Sequence, residues 1–282
     1  MTFGMQPLVI ILLLAAAFLH ASWNVVLRGR QDRFLSITLM SAISAVVALP
    51  FALVLPRPDP SSWGCIAFSS TLQIAYCLFL VRAYRHADLG QVYPVARGTA
   101  PLLVALGAAL FAHERLGPMA LIGIALVSLG IIGQAVGRGR LDLRSLAAAL
   151  ACGLMIAGYT VSDGIGARLS GHPQSYSAWM FVTQGTPMPL LYMALRGPLR
   201  IDPRSPEALK TLWAGLIAMV SYGVVVWALS LSPMGAVSAL RETSILFAVV
   251  LGAVFLKERM TPVRAICCAL IAGGAACLTL GG

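Results

Sequence analysis

Residues 97–118 have the sequence RGTAPLLVALGAALFAHERLGP, and residues 241–262, which begin 144 positions later, have the sequence RETSILFAVVLGAVFLKERMTP. Eight of these 22 aligned positions are identical. The identical pairs are Arg97/Arg241, Thr99/Thr243, Leu102/Leu246, Ala109/Ala253, Phe111/Phe255, Glu114/Glu258, Arg115/Arg259 and Pro118/Pro262. Some apolar matches are expected by chance, but the polar and proline matches are not so easily explained. We therefore predict a fold with two related halves.

The composition around this repeat is typical of a membrane protein. Of the 282 residues, 59% are hydrophobic and only 11% are charged, whereas about a quarter of a soluble domain is charged. Apolar runs of about 20 residues match a hydrocarbon core about 30 Å thick. The predicted spans are residues 7–27, 35–55, 63–83, 90–112, 118–136, 146–166, 176–195, 211–231, 235–256 and 262–280. The sequence thus predicts an all-α, polytopic membrane protein with about ten transmembrane helices.

The repeat unit has five helices, because helices four and five correspond to helices nine and ten. Residues 1–137 and 138–282 are therefore predicted to form two five-helix domains. An odd number of spans places the second copy upside down relative to the first. Inverted repeats recur in secondary transporters, whose solute site lies at the repeat interface near the bilayer midplane. A receptor or a scaffold has no particular need of this symmetry, so it favours a transporter.

Proline and glycine interrupt two of the predicted spans. Pro94 and Pro101 lie in the fourth span, and Gly185, Pro187 and Pro189 lie in the seventh. In lipid, such breaks are tolerated where the freed backbone groups are buried or line a wet cavity. Simple kinking for helix packing is an equally good interpretation.

Ionisable side chains inside a membrane are costly, so they are candidates for function. We call the side of the N-terminus side A and the opposite side B, and the alternation of spans then assigns each polar residue to one half of the membrane. The side-B half receives His20, Trp23, Asn24, Tyr93 and Arg97, and the side-A half receives Tyr159, Asp163, Arg241 and Glu242. Spacings of three or four residues place neighbours on one helix face. The prediction is two polar clusters, one on each side of the midplane, as alternating access about a central site would require.

The residue types in these clusters suggest a division of roles. Arg97 and Arg241 stay protonated and offer planar forks to a carboxylate or phosphate, so they are candidate anion-binding groups. Asp163 and Glu242 can change protonation state when desolvated, so they are candidate proton carriers. The other candidates for solute binding are His20, Trp23, Asn24, Tyr93 and Tyr159. Among these, the aromatic residues Trp23, Tyr93 and Tyr159 would supply flat walls with a polar tip.

Each of these residues also has a purely structural interpretation. Arg241 and Glu242 could neutralise each other, or Asp163, in a static packing network. His20 could hydrogen bond to a neighbouring helix, and Trp and Tyr side chains also anchor helices at membrane interfaces. Three further aromatic residues are interpreted as packing or interfacial residues: Trp179, Tyr222 and Trp227. Two repeated pairs at helix ends are interpreted as turn residues and interfacial anchors: Glu114-Arg115 and Glu258-Arg259.

Four stretches resemble EamA-type members of the drug/metabolite transporter superfamily. They are His20-Ala-Ser-Trp23-Asn24, Tyr93-Pro-Val-Ala-Arg97-Gly-Thr, Tyr159-Thr-Val-Ser-Asp163-Gly and Ala239-Leu-Arg241-Glu242-Thr-Ser. The similarity spans nearly the whole chain and agrees with the ten-helix, two-repeat plan. The resemblance implies a permease, commonly an exporter of amino acids or related metabolites, with a cavity between its halves. The first two stretches also resemble phosphonate-utilisation-associated membrane proteins.

Basic residues are distributed unevenly between the two sides of the membrane. Side-B loops carry 15 Lys and Arg residues, and side-A loops carry 3. By the positive-inside rule, side B faces the cytoplasm and both termini face out. The family resemblance implies the opposite, since the termini of this superfamily usually lie in the cytoplasm. We base the predicted orientation on the charge count.

Composition and motifs also limit the function. The net charge of +10 comes from basic residues spread over short loops, so no nucleic acid partner is expected. A GxxxxGK[ST] motif for ATP is absent from the sequence, so coupling to protons or to solute exchange, or uncoupled uniport, is expected. We predict a secondary transporter of a small zwitterionic or anionic metabolite in a bacterial inner membrane, without enzyme activity, metal or cofactor. A lipid-modifying membrane enzyme and a channel or non-transporting scaffold are the alternatives.

Overall fold

A computed structural model describes residues 5–26, 32–83, 89–135, 143–199, 201–202, 204–256 and 260–280. Within these residues the chain is helical, with one short 3-10 turn at Pro60–Ser62 and no strand. The helices are α1 (Pro7–Val26), α2 (Arg33–Val54), α3 (Trp63–Ala83), α4 (Leu89–Phe111), α5 (Pro118–Gly133), α6 (Leu143–Leu169), α7 (Pro173–Gly185), α8 (Pro187–Arg196), α9 (Pro206–Leu231), α10 (Met234–Arg241), α11 (Ser244–Leu256) and α12 (Pro262–Leu280). The predicted all-α fold class is confirmed.

These helices form ten successive membrane segments, as the sequence predicts. Eight segments of the described chain are long and apolar enough to cross a bilayer. α5 is a shorter apolar helix of 16 residues, and the remaining segment consists of α7 and α8. The predicted domain boundary between residues 137 and 138 lies outside the described residues, and so does the Glu258-Arg259 pair.

The seventh segment is broken where the sequence places its helix-breaking residues. α7 ends at Gly185 and α8 begins at Pro187, with Thr186 between the two helices. Thr186 keeps helical backbone angles (φ −61°, ψ −40°), and the hydrogen-bond ladder is interrupted at Pro187 because proline has no N–H to donate. α4 continues as one helix through Pro94 and Pro101. Of the two spans with helix-breaking residues, only the seventh is interrupted.

The ninth segment is broken without any glycine or proline at the break. α10 ends at Arg241 and α11 begins at Ser244. The N–H of Thr243 bonds to the carbonyl oxygen of Leu240 at 3.1 Å, and the Thr243 hydroxyl donates to the same oxygen at 2.7 Å. Such local hydrogen bonds of Thr compete with the regular helix pattern. The break places Arg241 and Glu242 at the end of a short helix.

The two halves of the chain pack closely against each other. α5 and α12, the last helices of the two halves, approach through glycines, since a Cβ atom on Gly274 would lie 2.6 Å from the carbonyl oxygen of Gly123. Small residues allow this kind of close contact between membrane helices. α1 also contacts α9, and the Ser221 hydroxyl of α9 donates to the carbonyl oxygen of Ala16 at 2.8 Å. Helices from both halves therefore surround the centre of the molecule.

An apolar core fixes α10 beside α4. Buried side chains of α1, α4, α6, α9 and α10 pack together, among them Leu13, Val104 and Val237. α1 and α4 belong to the first half, and the other three helices belong to the second. This core holds the break after α10 against α4, where polar side chains from both halves meet.

Candidate functional site

The site is built where α4 meets the break between α10 and α11. Arg97 projects from α4, while Arg241 is the last residue of α10 and Glu242 follows it. Their exposed fractions are 6%, 4% and 0% respectively. Oε2 of Glu242 lies 2.8 Å from Nε of Arg97, and Oε1 of Glu242 lies 3.4 Å from Nη2 of Arg241. One carboxylate thus lies between two guanidinium groups that belong to different halves of the chain.

α1 and the start of α4 border Arg97 with aromatic rings. Nε2 of His20 lies 3.5 Å from Nη2 of Arg97, and the His20 ring meets the Trp23 ring edge-on at 5.1 Å. The Tyr93 ring centroid lies 5.8 Å from Cζ of Arg97. Nδ2 of Asn24 donates to the His20 carbonyl oxygen of the same helix at 2.7 Å. His20 and Tyr93 therefore touch Arg97, Trp23 stands behind His20, and Asn24 uses its amide nitrogen within α1.

Asp163 on α6 accepts hydrogen bonds from a separate set of hydroxyl groups. Its carboxylate is fully buried and accepts hydrogen bonds from Tyr222 of α9 at 2.7 Å and from Tyr176 of α7 at 3.0 Å. Ser69 of α3 provides a third hydroxyl donor. A buried carboxylate needs such donors to offset the loss of hydration. Three other helices, α3, α7 and α9, therefore supply hydroxyl groups to this one side chain of α6.

Tyrosine rings connect the two groups of charges. Cζ of Arg241 lies 5.9 Å from the centroid of the Tyr222 ring, within the range of a cation–π contact. The Tyr159 ring lies 6.1 Å from the Tyr222 ring and 6.3 Å from the Tyr76 ring. The three rings thus form a continuous row, in which Tyr222 contacts both Arg241 and the carboxylate of Asp163.

The arrangement differs from the two separate clusters that the sequence predicts. Arg97 of the side-B set contacts Glu242 of the side-A set, so the two sets meet. Arg241 and Asp163 share Tyr222 as a neighbour. The central polar cluster, as we call it, is made of His20, Trp23, Tyr76, Tyr93, Arg97, Tyr159, Asp163, Tyr176, Tyr222, Arg241 and Glu242. It presents both signs of charge at the meeting point of the halves.

Several buried polar atoms of this cluster have no hydrogen-bond partner among the residues that the structure describes. They are Nε of Arg97, Nε of Arg241, Oε2 of Glu242 and Nε1 of Trp23. The 2.8 Å contact between Arg97 and Glu242 is therefore a charge contact without hydrogen-bond alignment. Buried polar groups are normally hydrogen bonded, so the cluster has unused capacity for a polar ligand. Within the described ranges, three or more His, Cys, Asp or Glu residues nowhere come together as a metal site would need.

A second charge contact ties the halves together at side A. Glu114, in the turn after α4, pairs with Arg168 near the end of α6 at 2.5 Å. Glu114 also accepts a hydrogen bond from the N–H of Met234 at the start of α10, at 2.9 Å. Arg168 donates to the carbonyl oxygens of Leu229, in the last turn of α9, and of Ser232, directly after it, at 3.0 and 2.8 Å. Glu114 thus does more than the predicted turn residue, since it joins the first half to helices of the second.

Sequence reasoning missed three members of the central polar cluster, Tyr76, Tyr176 and Tyr222, and also Ser69, which donates to Asp163. Tyr222 is interpreted from the sequence as a packing residue, yet it donates the shorter of the two tyrosine hydrogen bonds to Asp163. Its position next to Ser221, inside the apolar run of α9, is a signal that could have identified it. Tyr176 and Ser69 carry no local signal, because their partner lies on another helix.

Comparison with known proteins agrees with this architecture. The EamA-like transporter family matches the chain twice, over residues 7–135 and over residues 143–280. No functionally curated protein matches the chain. A crystal structure of a protein 21% identical to this chain superimposes with a TM-score of 0.77, covering 98% of this chain and 97% of that one. At this identity the structural likeness shows the fold alone, whereas the two family matches span α1–α5 and α6–α12.

Proposed function

Because this chain belongs to the EamA-like transporter family, we propose that it moves a small zwitterionic or anionic metabolite, such as an amino acid or an organic acid, by alternating access. Membership of the family establishes a multi-pass membrane transporter of the drug/metabolite transporter superfamily. The class of solute, the mechanism and a bacterial inner membrane as its location are the proposal. The phosphonate-utilisation subgroup stays a resemblance, and it adds phosphonates to the solutes worth testing.

The pair of buried arginines is the observation that carries the proposal. Charged side chains are costly inside a membrane protein and mark solute or ion pathways. A guanidinium group offers two parallel donors to a carboxylate. In the described part of the chain, Arg97 and Arg241 each keep an Nε atom without a hydrogen-bond partner. The carboxylate of Glu242 and the tyrosine rings provide for a positive group on the same solute. These features support a solute that carries at least one acidic group.

Protons are the proposed coupling ions, with Asp163 and Glu242 as their carriers. Both side chains are fully buried, and each one offsets positive charge or accepts hydrogen bonds within the central polar cluster. A proton on Glu242 would weaken its attraction to Arg97, which would free that guanidinium group for the solute. Protonation and solute binding would then be linked through one contact.

Alternating access is supported by the contacts at side A. The Glu114–Arg168 pair links the turn after α4 with the ends of α6 and α9 and the start of α10. Solute passage on this side requires the halves to separate, and separation breaks this pair. Such a contact between inverted halves suits a carrier that opens to one side at a time.

A binding and flux experiment tests the proposed function. The purified protein would be heated with amino acids, organic acids, phosphonates and cationic drugs, since a ligand of the folded state raises the apparent Tm. Any solute that stabilises the protein would then be tested for saturable uptake into proteoliposomes. We expect binding and flux for an acidic or zwitterionic metabolite, and loss of both in Arg97→Gln. Arg57→Gln, which changes an exposed side-A loop residue, is the control variant and should keep both binding and flux.

Other outcomes would identify the alternatives. Stabilisation by apolar cations alone would overturn the assigned solute class. Flux that does not saturate would indicate a channel, and chemical change of added lipid without solute flux would indicate a membrane enzyme.

A further inference from the structure

Resting on the proposed alternating access, we infer that Glu114 is a positioning residue for the central polar cluster and acts on it through α10. Both ends of this short helix are held to α4 by a carboxylate. At side A the contact is made by Glu114, and in the centre it is made by Glu242 with Arg97. The two contacts loosen together, which couples closure at side A to the state of the central polar cluster.

The side-A end of α10 is held by a carboxylate of the first half. The N–H of Met234, the first residue of α10, donates to Oε2 of Glu114 at 2.9 Å. The first N–H groups of a helix have no partner within it, and the helix dipole favours a negative charge there. Glu114 follows α4 in the chain and also pairs with Arg168. The start of α10 is therefore held to the end of α4.

The turn before Glu114 has a specific conformation. His113 has a φ of 53°, in the left-handed region that residues other than glycine seldom adopt. The N–H of Glu114 bonds back to the carbonyl oxygen of Ala108, on α4, at 3.1 Å. Residues keep such conformations where surrounding contacts determine them, often at functional sites. This turn presents the Glu114 carboxylate to α10.

The other end of α10 carries two charged groups of the central polar cluster. Arg241 is the last residue of the helix, and Glu242 follows it. Oε2 of Glu242 lies 2.8 Å from Nε of Arg97, which projects from α4. α10 therefore runs antiparallel to α4, with one carboxylate contact at each of its ends.

α10 joins the two contacts as one buried helix. All eight of its residues, from Met234 to Arg241, are buried, and at about 1.5 Å per residue they extend about 12 Å. A Cβ atom on Gly235 would lie 2.9 Å from Cβ of Ala105, so α10 and α4 approach closely between the contacts. The chain is extended at Ser232, before α10, and the helix is interrupted again after it. A short helix between two such joints can move as a unit.

Because one helix carries both contacts, a change at one end reaches the other. A solute that draws Arg97 away from Glu242 removes the central contact and lowers the free energy needed to move α10 away from α4. The contact of Glu114 then opens more readily, which connects binding with opening at side A. Coupling between two sites is reciprocal, so loss of the side-A contact also loosens the central one.

Amide hydrogen exchange of the purified full-length protein tests this coupling. The N–H of Met234 is hydrogen bonded to Glu114, so its exchange rate reports the side-A contact. Arg97→Gln changes the far end of α10, and we expect it to speed exchange at Met234 by about fivefold or more, the lower end of coupling between sites. Exchange within α2 should stay unchanged, which excludes global destabilisation. Arg57→Gln, at an exposed side-A residue, should change neither rate.

The reverse experiment starts from side A. Glu114→Ala should speed exchange at Thr243, whose N–H bonds to Leu240 at the break after α10. Glu114→Gln keeps an oxygen for the N–H of Met234 but loses the charge, so its effect should be smaller. Arg115→Ala, at the exposed neighbouring residue, is the matched control and should leave Thr243 unchanged. This experiment still decides if Arg97→Gln does not fold.

A double-variant cycle gives an independent measurement. Glu114 and Arg97 lie about 20 Å apart along α4, and changes at such a distance normally add. We expect the double variant of Glu114→Ala and Arg97→Gln to lose less Tm than the sum of the single losses, by about 2–4 °C. Arg115→Ala combined with Arg97→Gln should be additive.

Unchanged exchange at both Met234 and Thr243, or additive losses of Tm for Glu114→Ala and Arg97→Gln, would overturn the inference. A merely structural role of Glu114 predicts lower stability without either effect. These measurements use no solute, so their failure is distinct from failure of the proposed function. Saturable flux of a metabolite together with additive losses of Tm would reject only the coupling through α10.

Discussion

Arg97 makes contacts through two different nitrogen atoms, which makes its shape as important as its charge. Nε faces Glu242 at 2.8 Å, while Nη2 lies 3.5 Å from His20. A lysine keeps the charge but has a single ammonium group, so it cannot reproduce the fixed fork. We expect Arg97→Lys to reach normal membrane abundance and to lower kcat/KM for transport by about tenfold to a hundredfold. Uptake assays at equal protein content, with Arg57→Lys as control, would measure this, and unchanged kcat/KM would show that charge alone suffices.

Tyr222 is expected to stabilise the buried carboxylate of Asp163. Tyr222→Phe keeps the ring that lies against Arg241 but removes the hydroxyl that donates at 2.7 Å. Loss of one hydrogen bond to a buried charged group costs about 1.5–3 kcal/mol of unfolding free energy. The cost should shrink in an Asp163→Asn background, because neighbouring residues in one network are not additive. Equal losses of stability in both backgrounds, measured by denaturation of the purified variants, would show that the hydroxyl acts elsewhere.

The individual site residues were accessible to sequence reasoning to different degrees. Arg97, Asp163, Arg241 and Glu242 could be predicted because a charge inside an apolar run is costly wherever the helix packs. The contact of Arg241 with its neighbour Glu242 was among the sequence interpretations. The Arg97–Glu242 pair could not be predicted, since the contact between α4 and the end of α10 depends on how the halves dock. The hydrogen bond from Tyr222 to Asp163 also depends on how the helices pack, so it could not be predicted. A tyrosine in a membrane helix is in addition a common interfacial residue, so its presence alone did not indicate a site.

At the scale of helices, the close contact of α5 with α12 depends on glycine. A Cβ atom on Gly274 would lie 2.6 Å from the backbone oxygen of Gly123, whereas a Cβ atom on Gly273 would meet nothing within 4 Å. Gly274→Val should therefore push the helices apart and cost about 1–3 kcal/mol or more, as overpacking does. Gly273→Val carries the same change in helix propensity and should be nearly neutral. Thermal melting of the two purified variants makes the comparison, and equal Tm values would contradict the packing shown here.

Helix positions were largely predictable, while helix breaks were predictable only in part. Apolar runs gave the ten segments because the thickness of the bilayer sets their length. The break at Thr186 follows from Pro187, but Pro101 does not interrupt α4. The break after Arg241 carries no local signal of that kind, since Thr243 closes the turn there through its own hydroxyl. Threonine makes such bonds within many helices without breaking them, so its presence alone does not predict a break.

At the scale of the whole molecule, the charge distribution predicts the orientation in the membrane. Side-B loops carry 15 basic residues against 3 in side-A loops, and an excess of basic residues marks the cytoplasmic side. Because the chain crosses the membrane an even number of times, both termini should lie outside. A green fluorescent protein fused to the C-terminus should be dark, while alkaline phosphatase fused there should be active.

Fusions within the chain provide the control for this test. A reporter placed at the side-A loop near Arg57 should behave like the C-terminal fusion, while a reporter near Arg196, on side B, should behave in the opposite way. A fluorescent C-terminal fusion would show that the termini lie in the cytoplasm, as in the family, and that the charge count predicts the wrong orientation. The result also shows which face of the membrane carries the Glu114–Arg168 contact, because this contact lies at side A. With both termini outside, this contact closes the outer face, so its opening would be the step that exchanges solute with the exterior.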